Sequence, residues 1–347
     1  MNIMDKKRRI LIIGAGASGM SAALSAAKNG ALVTVAEHNS EAGKKILITG
    51  NGRCNYTNTF VSPEHYRCND KKLIRSVLAS FGYDDCIKLF KGLGIEPNVI
   101  HYRFDESGYV YPKDGGAAYL RDALFKGCLD EGVSFLFNTD AVDLSIVKNE
   151  DVFNTSIGEF DAVIIASGSN AYPATGSDSS VYPILKQFDL GFKPFLPALC
   201  ALYSKSPLLK ELKGKRVEGS ISLIIGEDKT YTAAGEIQFN EHSISGIPVM
   251  QLSGYAAAAL KEKKSCRLIF EGNSFEIHRT AGFDRAQCCS GGIDTDEIIY
   301  ETLESRRCSG IYFCGELIDA YGECGGYNLH FAWASGFVAG RSAALGK

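Results

Sequence analysis

The sequence has no uninterrupted run of about 18 apolar residues, so no membrane-spanning helix is expected. It has no Cys-x-x-Cys pair. Its 11 cysteines, an odd number, are scattered without the spacing of a zinc site or a small disulfide framework. A reducing, cytoplasmic setting is the expectation. Neither sign of charge dominates. The 37 Lys and Arg against 40 Asp and Glu give a net charge of −3, which leaves no global footprint for nucleic acid or an anionic membrane. Low-complexity tracts are absent too, and the 45% hydrophobic share is that of a folded globular chain. At 347 residues the chain can bury a sizeable core and form two or three domains. The basic Lys6-Lys7-Arg8-Arg9 ahead of an apolar stretch is no signal peptide, because a glycine turn interrupts that stretch; it is expected to be a solvated leader.

What the chain does have is glycine, 37 residues of it, clustered at turns. Residues 10–19 read Ile-Leu-Ile-Ile-Gly-Ala-Gly-Ala-Ser-Gly. A β-branched run enters a Gly-x-Gly-x-x-Gly turn at Gly14, Gly16 and Gly19. An Ala- and Ser-rich helix follows, Gly30 ends it, and a second strand closes on Glu37. Each part has a chemical reason. Gly14 allows the tight turn, Gly16 lets backbone N–H groups approach a pyrophosphate, and Gly19 lets helix and strand pack closely. The helix N-terminus offers donors to the phosphates, and Glu37 can accept from a ribose hydroxyl. The acid favours an unphosphorylated ribose, so FAD or NAD at this turn.

Farther along, residues 43–58 form a glycine- and amide-rich loop. Residues 70–93 are expected to be helical, with Leu73, Val77, Phe81, Ile87 and Phe90 among the apolar positions. A short strand or turn is expected at 108–112 and a helix at 117–131. Strands are expected at 133–137, 141–147 and 152–157. Asp161-Ala-Val-Ile-Ile-Ala-Ser-Gly-Ser reads as a buried parallel strand running into a small-residue turn. After about residue 190, Pro194, Pro197 and Pro207 and short alternating strands predict an inserted, mainly antiparallel β domain. Residues 311–316 are another strand entering a glycine turn, and 328–345 a final helix.

Three further segments go together: Gly-Asn-Gly-Arg-Cys-Asn-Tyr-Thr-Asn at 50–58, Gly-Glu-Ile-Gln-Phe with Ser-Ile-Ser-Gly at 235–246, and Gly-Glu-Leu-Ile-Asp with Gly-Gly-Tyr-Asn at 315–328. With the first glycine turn they closely resemble, over nearly the whole chain, a family of bacterial flavoproteins. Its members are labelled aminoacetone-oxidase-family FAD-binding enzymes, or NAD(P)/FAD-dependent oxidoreductases, and include a dehydro-bile-acid reductase. The resemblance implies bound FAD and an α/β fold: a two-dinucleotide-type Rossmann-like domain, residues 1–190 with 286–347, interrupted by the β-rich insert at 191–254. In that family a helical domain follows; here residues 255–285 would be its abbreviated remnant.

By the same resemblance, Gly14, Gly16, Ser18, Gly19 and Glu37 would hold the ADP half of FAD. Asn51, Gly52, Arg53, Cys54 and Asn55 would lie along the flavin and pyrophosphate side, and Val142 near the adenine. Ala166, Ser167 and Gly168 would pass near the cofactor, and Gly315, Glu316 and Asp319 beneath the ribityl chain. Gly326, Tyr327 and Asn328 would aim backbone N–H groups at the N1–C2 edge of the ring, where a helix N-terminus stabilises the negative charge of the reduced flavin.

The expected function is that of an FAD-dependent oxidoreductase, with three readings open. The first is an NAD(P)H-driven reductase of an activated C=C bond on a hydrophobic small molecule, with NADPH or NADH as a transient donor. The second is an oxidase or dehydrogenase of a small amine, motivated by the lack of a second glycine triplet that would open a dedicated nicotinamide domain. The third is a flavoprotein acting on RNA, motivated by related folds that modify tRNA and opposed by the charge balance, despite a local run of Lys205, Lys210, Lys213, Lys215 and Arg216. Neither nucleic acid nor membrane is expected as a partner, and no metal. Candidate proton carriers are His101, His242, His330, Tyr321 and Tyr327; candidate thiols are Cys54 and Cys324.

Overall fold

The apolar run before the glycine turn, Arg9–Ile13, is the central strand of a five-stranded parallel sheet. The order across the sheet is 311–313, 162–165, 9–13, 32–36, 134–136. Ile10 stands opposite Ala162 on one side and Val33 on the other. Burial of the sheet's centre explains why these strands read as continuous apolar runs and not as alternating ones. The structure, a computed structural model, describes residues 7–347 except 103, 104, 179 and 228, and the backbone alone of 105–107. Lys6 of the basic leader therefore lies outside the described residues. Arg8 and Arg9 are not a loose leader: Arg8 Nη2 donates to the Asp161 carbonyl, and Arg9 N to the Asp161 carboxylate at 2.7 Å.

Eight helices are described: α1 (Ala17–Lys28), α2 (Lys71–Ser80), α3 (Tyr83–Gly92), α4 (Gly116–Asp130), α5 (Tyr182–Gln187), α6 (Leu208–Leu212), α7 (Ile247–Lys261) and α8 (Tyr327–Leu345). The closest helix pair is α1 with α8. A Cβ on Gly336 would collide with the Ser18 carbonyl oxygen, and one on Gly340 with that of Ala22. Ser21 Oγ donates to the Trp333 carbonyl at 2.7 Å, and Ser25 Oγ to that of Phe337 at 2.8 Å. Contact partners rise together in both helices, so the two run parallel and start at the same end of the sheet.

The second unit is a closed six-stranded antiparallel barrel, in the order 202–204, 243–245, 229–239, 216–225, 266–270, 273–280. Its alternation puts Ile221, Leu223, Ile237, Leu268 and Phe275 inside, and α7 adds Val249, Leu252 and Ala256 to that core. The antiparallel pair Phe192–Ala198 with Cys288–Ile293 carries the chain in and out.

Some expectations are corrected. The segment 255–285 is not a helical remnant. It is the end of α7, a short link at 262–265, and two strands, Cys266–Phe270 and Asn273–Thr280, that close the barrel. The insert thus runs past 254. Ala141–Leu144 is a 3₁₀ turn and not a strand, because Asp140 caps it through the Val142 N–H and Ser145 turns left-handed at φ 48°. The helix expected over 70–93 breaks between α2 and α3, where the Gly82 N–H is taken by the Asp85 carboxylate at 2.9 Å.

Gly340→Ala forces two backbones apart and should cost about 1–3 kcal/mol of stability. Gly92→Ala, at a helix position where a Cβ meets nothing within 4 Å, should cost none. Urea-unfolding midpoints check both.

Candidate cofactor and active site

The first cleft is built at the carboxyl edge of the parallel sheet, mostly from backbone. Gly14 sits at φ 103° with its N–H on the Ala36 carbonyl at 2.8 Å, and a Cβ there would press on the Ala166 carbonyl oxygen at 2.6 Å. A Cβ on Gly19 would collide with the Gly14 carbonyl oxygen. Gly16 is different: it has an ordinary φ of −75°, and a Cβ there would meet nothing within 4 Å. The space before the α1 N-terminus is therefore open, and no side chain caps the helix. Glu37, only 8% exposed, accepts from Ala15 N at 2.7 Å and from Asn39 N and Nδ2 at 2.9 and 2.7 Å. A carboxylate has about four lone-pair sites, so one remains for a hydroxyl. Ser167 on the same wall has a buried hydroxyl with no hydrogen-bond partner. Open donors, a spare acceptor and an orphaned hydroxyl fit the ADP half of FAD.

A second cluster surrounds the start of α8. Gly326 is left-handed at φ 91°; a Cβ there would lie 2.5 Å from the Thr57 carbonyl oxygen and 2.8 Å from Asn55 Oδ1. That Oδ1 is buried without a hydrogen-bond partner. Tyr327 is buried, stacked on His65 at 4.5 Å, with its carbonyl accepting from Tyr66 Oη. Asn328 clamps Gly322 from both sides, accepting from its N–H at 2.8 Å and donating to its carbonyl at 2.9 Å. Between the two clusters Gly315 is pressed against α1, where a Cβ would collide with Ser18 Oγ, and its N–H is held by Ser335 Oγ of α8 at 2.9 Å. Beside them Glu316 takes Lys45 Nζ at 2.7 Å and Ser169 Oγ at 2.8 Å.

Other expected site residues stand apart. Val142 is 48% exposed at the rim, and Ala141 lines the first cleft in its place. Asn51, Gly52 and Arg53 are exposed; Arg53 donates to the Gly50 carbonyl and lies over the Tyr111 ring at 4.9 Å. Gly168, at φ 76°, continues the turn after Ser167. Asp319 turns toward the barrel connection, accepting from Gly291 N at 2.9 Å and pairing with Lys193. The Cys54 and Cys324 thiols are both pushed up to about 12 by burial, which keeps them protonated and unreactive.

His101 and His242 are exposed. His330 is fully buried, with Thr57 Oγ1 at 2.7 Å from Nδ1 and the Phe81 carbonyl at 3.3 Å from Nε2. Burial pulls its pKa down to about 4, so it is a neutral structural group and not a proton carrier. His65, Arg67 and Glu323 belong to no sequence motif; their only signal is Glu323's place before the glycine pair.

The glycine turn with its open helix start, taken with the family match, makes this an FAD-dependent oxidoreductase with a Rossmann-type cofactor domain. The chain belongs to the HI0933-like Rossmann-domain family, whose model matches residues 8–342. It is 31% identical to a 3-dehydro-bile acid delta(4,6)-reductase of Clostridium scindens, over 97% of this chain and 99% of that one. It is 26% identical to a ribosomal RNA dihydrouridine synthase of Haemophilus influenzae, over 96% of this chain and 98% of the relative. Among solved structures it is similar to a 3-ketosteroid delta1-dehydrogenase of Sterolibacterium denitrificans, with a TM-score of 0.58, 11% identity, and 97% and 99% coverage of the two chains. Among the described residues, no helix is long and apolar enough to cross a membrane and no group of side chains could hold a metal ion.

Gly16→Ala places a Cβ where no atom of the chain lies within 4 Å. At the α1 N-cap it should cost the flavin-free protein no more than about 1 kcal/mol while lowering FAD affinity by roughly tenfold or more, read as bound flavin per chain. For His330, the unfolded chain binds a proton below pH 6.5 that the folded chain refuses until about 4. Stability should therefore fall as pH drops through that window, by up to about 3 kcal/mol from this group. His330→Gln should flatten that slope in urea titrations at pH 7 and pH 5.

Proposed function

We propose that the protein reduces a C=C bond conjugated with a ring carbonyl, with NADPH or NADH as a transient electron donor. The observation that carries this reading is the chemistry common to two relatives that each align over nearly the whole chain. A 3-oxo ring with delta(4,6) unsaturation and the uracil ring of uridine both place a C=C bond next to a carbonyl. Bound FAD supplies the hydride chemistry. The chain's own contribution is to hold the cofactor by backbone donors, to aim the α8 N-terminus at the edge where negative charge collects, and to close one side with the barrel.

A hydrophobic small molecule is the first choice of substrate. The more similar of the two relatives acts on one, and the barrel's local basic run is partly neutralised by the pairs Lys213–Glu241 and Arg216–Glu236. RNA is the second reading, and the ribosomal RNA relatives favour it.

The test is an anaerobic visible spectrum of the FAD-loaded protein. The flavin band should bleach with NADPH or NADH and return on adding a 3-oxo-4-ene steroid or a uridine-containing RNA. A band that neither nucleotide bleaches puts electron supply on the substrate itself. Peroxide formation from an aminoacetone-like amine would then replace the present reading.

A further inference from the structure

Between the barrel and the start of α8 lies a second cleft, of about 360 Å³, which none of the residues expected from the sequence lines. One wall is Arg67 and Glu323 from the flavin domain; the other is Tyr231, on the 229–239 strand, with Gln251 and Tyr255 on α7. Tyr231 and Tyr255 stack with centroids 3.8 Å apart and planes 14° from parallel. The Arg67 guanidinium lies over Tyr255 at 4.3 Å. Its Nη1 donates to the Gln251 carbonyl at 3.0 Å, and its Nη2 is 3.5 Å from Glu323 Oε1. Glu323 Oε2 is held by His65 Nδ1 at 3.1 Å, and His65 stacks on Tyr327. The cleft wall is thus continuous with the first residue of α8.

We propose that this cleft binds the ring that is reduced, with Arg67 donating to the carbonyl conjugated with its C=C bond and the Tyr231–Tyr255 stack, whose rings already cover each other, forming one wall beside the ring. The proposal rests on the reductase reading above and specifies its substrate site. Arg67 has five N–H donors and uses two, and Glu323 and the Tyr255 face fix the plane in which the others point. A cation in a half-buried cleft suits an oxygen on which negative charge grows. In balance, a hydride equivalent goes to the β-carbon and a proton from solvent to the α-carbon; the C=C bond is reduced and the nicotinamide donor oxidised. Glu323 and His65 touch neither ring nor carbonyl here; they are positioning residues for Arg67.

The experiment is calorimetric titration of the FAD-loaded protein, wild type, Arg67→Met, Arg67→Lys and Tyr231→Ala, with bound flavin per chain as the check that each is intact. The probes are 4-androstene-3,17-dione and a uridine-containing RNA hairpin, and a fully saturated androstane diol is the control. Wild type should bind at least one conjugated carbonyl and not the diol. Arg67→Met and Tyr231→Ala should each weaken that binding roughly tenfold or more, and Arg67→Lys should fall between. Steroid binding alone identifies a small-molecule source; RNA binding alone identifies RNA. Unchanged affinity in both Arg67→Met and Tyr231→Ala overturns the cleft while leaving the reductase reading intact. A wild type that binds neither probe overturns both.

Discussion

Everything functional in this molecule hangs on the contact between α1 and α8. Four small residues, Ser18, Ala22, Gly336 and Gly340, let the two helix backbones touch, and the Ser21 and Ser25 hydroxyls tie one to the other. Larger side chains at these points would separate the helices by more than a side-chain rotation can absorb. Because the helices run parallel, the turn that begins α1 and the turn that begins α8 open on the same end of the sheet. The chain between the two helices, 29–326, leaves this pair and returns to it.

The cofactor site that results is largely made of backbone. Gly14, Gly19, Gly315 and Gly326 are required by close approach, each for a different neighbour, while Gly16 alone faces open space. Side chains enter as stays: Glu37 on the loop N–H groups, Asn328 on Gly322, Ser335 on the Gly315 N–H. Such a site has rigid donors and few titrating groups, which suits a protein that leaves redox chemistry to its cofactor.

The glycine turn, the parallel strands and Glu37 were legible because each is local: a run of ten residues states its own geometry. The final helix was legible for the same reason. The strand expected at 141–147 failed because an Asp140 cap and a left-handed Ser145 outweigh a β-branched composition. Strands 266–270 and 273–280 form a local hairpin, but it is anchored to strand 216–225, some forty residues upstream, and to strand 202–204, farther still, and a resemblance suggested a helical unit instead. The second cleft was illegible for a stronger reason. Arg67, Tyr255 and Glu323 come from three segments that meet only in the folded chain, and none carries a motif. His330 shows the reverse error: a residue type that suggests chemistry, placed where burial removes its charge.

Two uncapped helix N-termini opening on the same end of the sheet also have an electrostatic consequence. Each carries roughly half a positive charge, and neither has a carboxylate in its first turn. An anionic, electron-accepting cofactor is attracted by both ends at once. Cofactor uptake is therefore coupled to folding: at a given concentration of free flavin nucleotide, the ligand sets how much of the chain stays native.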